Sequence, residues 1–171
     1  MEKRVREGSP YPQGATPAEG GVNFALFSKY AEGVDLLFFK HPLDSTPTEI
    51  IQVKNRTNFV WHCFVEGLAP GQLYAYRVRG PYQPQNGLRF NLNRLLIDPY
   101  ARAITGKFVP GVCHLGYDPA SPLADLSFNG LANTGGAPKC VVIDNQFDWE
   151  EDAPPRIPLR ETVIYEVHLK G

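Results

Sequence analysis

The chain has 171 residues, with 17 Lys plus Arg against 18 Asp plus Glu and a formal net charge of −1, a balance without the basic face that gripping nucleic acid requires. Hydrophobic residues at 43% and charged residues at 20% exclude an intrinsically disordered chain and leave enough apolar side chains for a packed core. With 16 Gly and 16 Pro, short elements punctuated by turns are expected in place of long helices.

Residues 1–16 read as an N-terminal arm. The opening Met1-Glu2-Lys3-Arg4-Val5-Arg6 leads into no apolar signal segment, and no run approaches the ~20 apolar residues that cross a bilayer. A cytoplasmic location without a membrane partner is therefore expected. A β-sandwich module is expected over residues 17–105. Its first strand is 22–28, where Val22, Phe24 and Leu26 share a face after the turn former Gly20-Gly21. The second, 34–40, turns Val34, Leu36 and Phe38 to one side. Runs at 49–54, 59–65 and 72–79 follow, the last two joined by Gly67-Leu68-Ala69-Pro70-Gly71. In 72–79, Tyr74, Tyr76 and Val78 share one face and Arg77 and Arg79 the other, a period of two that no helix satisfies. This succession of short alternating strands predicts an all-β, antiparallel sandwich.

Beyond Gly80-Pro81 the periodicity loosens, apart from Leu95-Leu96-Ile97, and 81–138 reads as long ordered loops packed on the sandwich or on something else. Phe90, Leu95 and Leu96 are expected to be apolar positions exposed there. Residues 106–160 form a connecting segment holding one strand-like run, 139–144, and a Pro-rich acidic linker, 149–158. A last strand-like run at 162–169 has nothing after it to cover it, so the chain is expected to be the front part of a larger protein.

Chemistry-bearing residues are sparse. Cys63, Cys113 and Cys140 are odd in number and widely spaced, which fits reduced thiols, not a disulfide framework or a zinc ribbon. His41, His62, His114 and His168 stand apart from one another, and Cys113-His114 has no second pair at zinc spacing, so no metal site is expected. The trio Glu150-Glu151-Asp152 sits in a linker without a scaffold to shift its pKa values. Nucleotide and acyl-transfer motifs are absent. Neither a catalytic residue nor a cofactor is indicated. Among the aromatics, Trp61, Tyr82 and Phe90 are the candidates for stacking on the apolar faces of sugar rings.

Gly8-Ser9-Pro10-Tyr11-Pro12-Gln13-Gly14-Ala15, Gly21-Val22-Asn23-Phe24-Ala25-Leu26-Phe27-Ser28, Gly80-Pro81-Tyr82, Gly87-Leu88-Arg89-Phe90-Asn91 and Leu95-Leu96-Ile97-Asp98-Pro99-Tyr100-Ala101 together resemble the N-terminal region of glycogen debranching enzymes of the isoamylase type. Residues 161–171 look like the first strand of that family's (β/α)₈ barrel, within the α-amylase superfamily, glycoside hydrolase family 13. The resemblance runs over nearly the whole chain. It implies an immunoglobulin-like sandwich of the carbohydrate-binding module 48 type, an irregular extension packed on the barrel, and a truncated start of that barrel at 161–171. It also implies a whole enzyme that hydrolyses α-1,6 branch linkages of glycogen or amylopectin with two carboxylates roughly 5 Å apart. Those carboxylates map onto no position of this chain, whose implied partners are the branched α-glucan and the barrel. In regulatory relatives two tryptophans, a lysine and an asparagine form a sugar site. This chain has only Trp61 and Trp149, the latter in the linker. The family commonly carries an Asp-Ser pair before Pro138-Lys139-Cys140, where this chain has Asn133-Thr134.

Overall fold

A computed structural model describes residues 4–144 and 147–168. Strands form where the alternation is strongest: β1 (Val5–Arg6), β2 (Gly14–Ala18), β3 (Gly21–Phe27), β4 (Gly33–Phe39), β5 (Glu49–Val53), β6 (Asn55–Thr57), β7 (Val60–Glu66), β8 (Leu73–Arg79), β9 (Tyr82–Gln83), β10 (Leu88–Arg89), β11 (Ile104–Thr105) and β12 (Lys139–Val141). No α-helix occurs among the described residues. The first sheet has the order β1-β7-β3-β2 with β6 also on β7, the second the order β11-β12-β8-β4-β5, and every pairing is antiparallel. The fold is therefore the all-β, immunoglobulin-like sandwich, and the five runs expected between 22 and 79 are β3, β4, β5, β7 and β8.

The two sheets meet through the faces that alternation marks. Val22, Phe24 and Leu26 of β3 and Cys63 and Val65 of β7 pack against Val34, Leu36 and Phe38 of β4 and Tyr74, Tyr76 and Val78 of β8. Phe24 stands edge-on to Phe38 and Tyr74, with centroids 5.8 and 5.2 Å apart, the geometry that ring quadrupoles favour. Within the first sheet β3 and β7 approach closely at Gly21, where any Cβ would collide with the Val65 carbonyl.

Both sheets are also covered on their outer sides. The N-terminal arm lies on the first: Asn23 accepts from the Ser9 N–H at 2.7 Å and donates to the Ser9 carbonyl at 3.0 Å, and the Arg6 guanidinium sits 3.7 Å from the Phe64 ring centroid. The loop layer lies on the second. Leu37, Phe39, Leu73 and Ala75 point away from the main core and bury against Leu95 and Ala137. Leu95, expected to be exposed, is thus only 4% accessible, because the outer face of β4 and β8 is itself apolar and needs a cover. Leu96 points the other way and is 42% exposed. Its backbone continues the sheet, exchanging both hydrogen bonds with Tyr76 at 2.8 and 2.9 Å.

Strand β12 occupies the edge of β8 next to that bridge, so residues 139–141 return from the connecting segment to the sandwich. Residues 162–168 join no sheet and are exposed. A strand is stabilised by ladder bonds to a neighbour, and no described residue supplies one. Leu169, the last residue of that expected run, lies outside the described residues.

Candidate functional site

The richest polar geometry lies where residues 80–99 fold back over the end of the sandwich. Strands β9 and β10 pair through a tight turn closed by Gly87 at φ 76, a left-handed conformation that suits a residue without Cβ. The return brings Phe90 over Gly80, where a Cβ would come within 2.6 Å of the ring. Phe90 is half-buried and packs on the main core. Between this returning segment and the end of β3 opens a cleft of about 660 Å³, with Leu26, Val78, Phe90 and Ile97 among its walls.

Arg94 stands at the cleft and is 6% accessible. Its guanidinium donates to the carbonyls of Leu115 (2.6 Å), Asn129 (3.0 Å) and Leu131, while its Nε has no partner. Removal from water lowers its proton affinity. Three carbonyl dipoles thus take the place of a carboxylate, and residues 115, 129 and 131 are tied to 94 by one side chain. Neighbouring amides repeat the device. Asn91 donates to the Asn129 carbonyl at 2.8 Å, and Asn133 accepts from the Leu95 N–H at 2.6 Å while donating to its carbonyl at 3.3 Å.

Asp98 is the buried carboxylate of this region. It accepts from the Tyr74 hydroxyl at 2.9 Å and the Tyr100 N–H at 2.8 Å, while its own N–H donates to Cys140 Sγ at 3.1 Å. Burial raises its pKa, partly opposed by the Tyr100 and Tyr74 hydrogen bonds. Tyr74 and Tyr76 are held well above the ordinary phenol range by burial and by the nearby Asp98, and the Cys63 and Cys140 thiols are pushed up to about 12 by burial. The two phenols and the two thiols therefore stay protonated near neutrality. Lys139 is fully buried, its proton affinity lowered by desolvation, and its ammonium donates to the Thr134 and Ala137 carbonyls at 2.6 and 2.7 Å and lies 4.9 Å from the Phe39 centroid. Asn133 and Thr134 are therefore part of the scaffold that holds the loop layer. The Thr134 hydroxyl also accepts from Arg77 at 2.9 Å.

The three aromatic candidates occupy separate environments. Phe90 lines the cleft. Trp61, on β7, is half-buried with its indole N–H donating to the Ser28 carbonyl at 3.2 Å and the Arg56 guanidinium 5.3 Å from the ring. Tyr82 lies under the connecting segment, donating to the Ser127 carbonyl and standing edge-on to Phe128 at 4.9 Å. Among the described residues no three His, Cys, Asp or Glu side chains group as metal ligands, and no helix is long and apolar enough to cross a membrane. Sequence reasoning missed Arg94, Asn91 and Asn133. Their one signal was the density of Asn between 91 and 133, which resembles ordinary turn chemistry.

A family model described as carbohydrate-binding module 48 (isoamylase N-terminal domain) matches residues 12–101. Glycogen debranching enzymes of Erwinia tasmaniensis and Yersinia enterocolitica are 41% and 42% identical to the chain over 167 residues, each match covering 98% of the chain and 24% of the relative. The chain thus spans about a quarter of the length of these curated relatives. Among solved structures, a mutant pullulanase from Paenibacillus barengoltzii complexed with maltotetraose aligns with a TM-score of 0.45 and 24% identity over 57% of the chain and 13% of its own length. The multi-modular glycogen-degrading pneumococcal virulence factor SpuA, as a product complex, aligns with a TM-score of 0.49 and 15% identity over 78% of the chain and 12% of its own.

Proposed function

From the premise that the chain belongs to the carbohydrate-binding module 48 family, the isoamylase N-terminal domain, we propose that it is the non-catalytic N-terminal region of a cytoplasmic glycogen debranching enzyme of the isoamylase type. The whole enzyme hydrolyses α-1,6-glucosidic branch linkages in glycogen or amylopectin. This part supports the catalytic barrel and shapes one side of the substrate cleft, with Trp61, Tyr82 and Phe90 as its aromatic candidates for sugar contact. The module occupies 17–105, the arm 1–16, the connection 106–160 and the start of the barrel 161–171. The observation that carries the reading is 41% identity across 98% of the chain to an enzyme four times as long, joined to an apolar surface that the sandwich leaves open. Val163, Ile164, Tyr165 and Val167 are each at least 65% exposed on a segment that joins no sheet. Phe108, Val109, Val112 and Leu131 add exposed apolar side chains on the loop layer, and such clustering marks a surface meant for a partner.

The test compares the complete enzyme with this chain on glycogen and on a small branched maltooligosaccharide, scoring reducing ends. The complete enzyme is expected to be active and the chain inert. Release of reducing ends by the chain itself, or a complete enzyme that leaves α-1,6 linkages intact, overturns the proposal.

A further inference from the structure

The sequence holds two Asn-Gly pairs, Asn86-Gly87 and Asn129-Gly130, and the fold treats them in opposite ways. In any such pair the backbone nitrogen of the glycine can attack the carboxamide carbon of the asparagine before it, because no Cβ shields that nitrogen. At the second pair this route is closed. Asn129 is 5% accessible. Its amide donates to the Val112 carbonyl at 2.7 Å and the Leu115 carbonyl at 3.0 Å, and its Oδ1 accepts from the Leu131 N–H at 3.0 Å. Cyclisation there would break all three bonds, each at a cost to the folded state.

At the first pair the restraints are few. Asn86 and Gly87 are both exposed in the turn that joins β9 to β10. Among the described residues the Asn86 carboxamide makes one hydrogen bond, donating to Gln83 Oε1 at 3.2 Å between two exposed side chains. The Gly87 nitrogen is held by its N–H bond to the Pro84 carbonyl at 3.0 Å. A single bond in an exposed turn opens at far lower cost than a packed layer. Room for a new ring is present as well, since a Cβ built on Gly87 would meet nothing within 4 Å.

We propose that Asn86-Gly87 is a site of spontaneous deamidation and that the loop layer protects Asn129-Gly130 from the same reaction. The Gly87 nitrogen bonds to Asn86 Cγ as the Cγ–Nδ2 bond breaks, and the proton that nitrogen loses leaves on ammonia. Water then opens the five-membered imide at either of its carbonyls, leaving an aspartyl or an isoaspartyl residue at position 86. Water is the only co-reactant. Either product adds a negative charge three residues before Arg89, whose guanidinium is already paired with Asp125 at 3.2 Å. The isoaspartyl product also inserts a methylene into the backbone of the turn that sets the pairing of Gln83 with Leu88 and of Tyr82 with Arg89. Phe90 follows that pairing directly and stands over Gly80, so the modification loosens this wall of the cleft. The inference is independent of the debranching reading.

The test ages the chain at neutral and at mildly alkaline pH and follows its peptides by mass spectrometry and by isoaspartyl methyltransferase labelling. The peptide holding 86–87 should be modified at least about tenfold faster than the one holding 129–130, and faster as pH rises, because the attacking nitrogen must lose its proton. In denaturant the two pairs should react at similar rates. Asn86→Gln, whose six-membered ring closes slowly, should leave its peptide unmodified. Hydrogen exchange of the aged chain should show lost protection at 82–90 with β3 and β7 unchanged, and Asn86→Asp, which carries the charge without the extra methylene, should lose less. An 86–87 peptide that stays intact, or equal rates at both pairs in the folded chain, overturns the proposal. So does continued protection of 129–130 in denaturant, which would take the fold out of the explanation, and so does unaltered exchange at 82–90 in the labelled chain.

Discussion

The two sides of the β4–β8 sheet are held by different physics. On its inner side, Tyr74, Tyr76 and Val78 meet Phe24 and Leu26 through apolar and ring contacts, a non-directional attraction proportional to the area removed from water. On its outer side a thin apolar layer around Leu95 and Ala137 is covered by irregular chain whose order comes from side chains bonding backbone: Asn91 and Arg94 to 115–131, Asn133 to Leu95, and Lys139 to 134 and 137. Each such bond contributes modestly when made, but loss of the side chain leaves buried backbone groups unpaired. The inner side therefore sets global stability, and the outer side sets the order of one layer.

The largest expected effect is on the inner side. Phe24→Ala should cost about 3–5 kcal/mol in chemical denaturation, as truncation of a buried aromatic does, and it should lower protection from hydrogen exchange in both sheets. A loss confined to the loop layer would mean that the two regions are not divided as described. Next comes Asn133→Ala, which strands the Leu95 N–H and carbonyl and should cost about 2 kcal/mol, with exchange rising in 91–137 while β3 and β7 keep their protection. Uniform loss of protection would erase the contrast between the two sides.

Thiol reactivity gives a finer reading. Cys63 and Cys140 are buried with pKa values pushed up to about 12, whereas Cys113 is partly accessible in the loop layer. Since the thiolate is the reactive form, a thiol reagent under native conditions should modify Cys113 first and the other two only on unfolding. Early modification of Cys140 would show that β12 detaches readily. The smallest effect is a pH dependence. Burial holds the Asp98 carboxyl above its ordinary 3.8, so its contribution to stability is complete below that value and is lost as pH rises through the raised one. The stability of the parent relative to Asp98→Asn should fall over that interval, and a difference that grows with pH would contradict the assignment.

The contrast also explains how far the amino-acid order could be read. Strands β3, β4, β5, β7 and β8 were legible because a period of two is local and survives in any context that buries one face. The linked motifs from Gly8 to Ala101 carried the family. Leu95 and Leu96 were legible as apolar but not as opposites, since which of two adjacent residues turns inward depends on a face of β4 and β8 formed by distant chain. Trp61, Tyr82 and Phe90 were singled out together as aromatics, and the structure places them in three different surroundings.

Residue order by itself determined which segments extend and which of their faces are apolar. Tertiary structure alone decided that 139–141 returns to the edge of β8 and that Arg94 spends its charge on three carbonyls. Alternation is written in neighbours along the chain. Hydrogen-bond partners 35 to 57 residues apart are chosen only when packing brings them together.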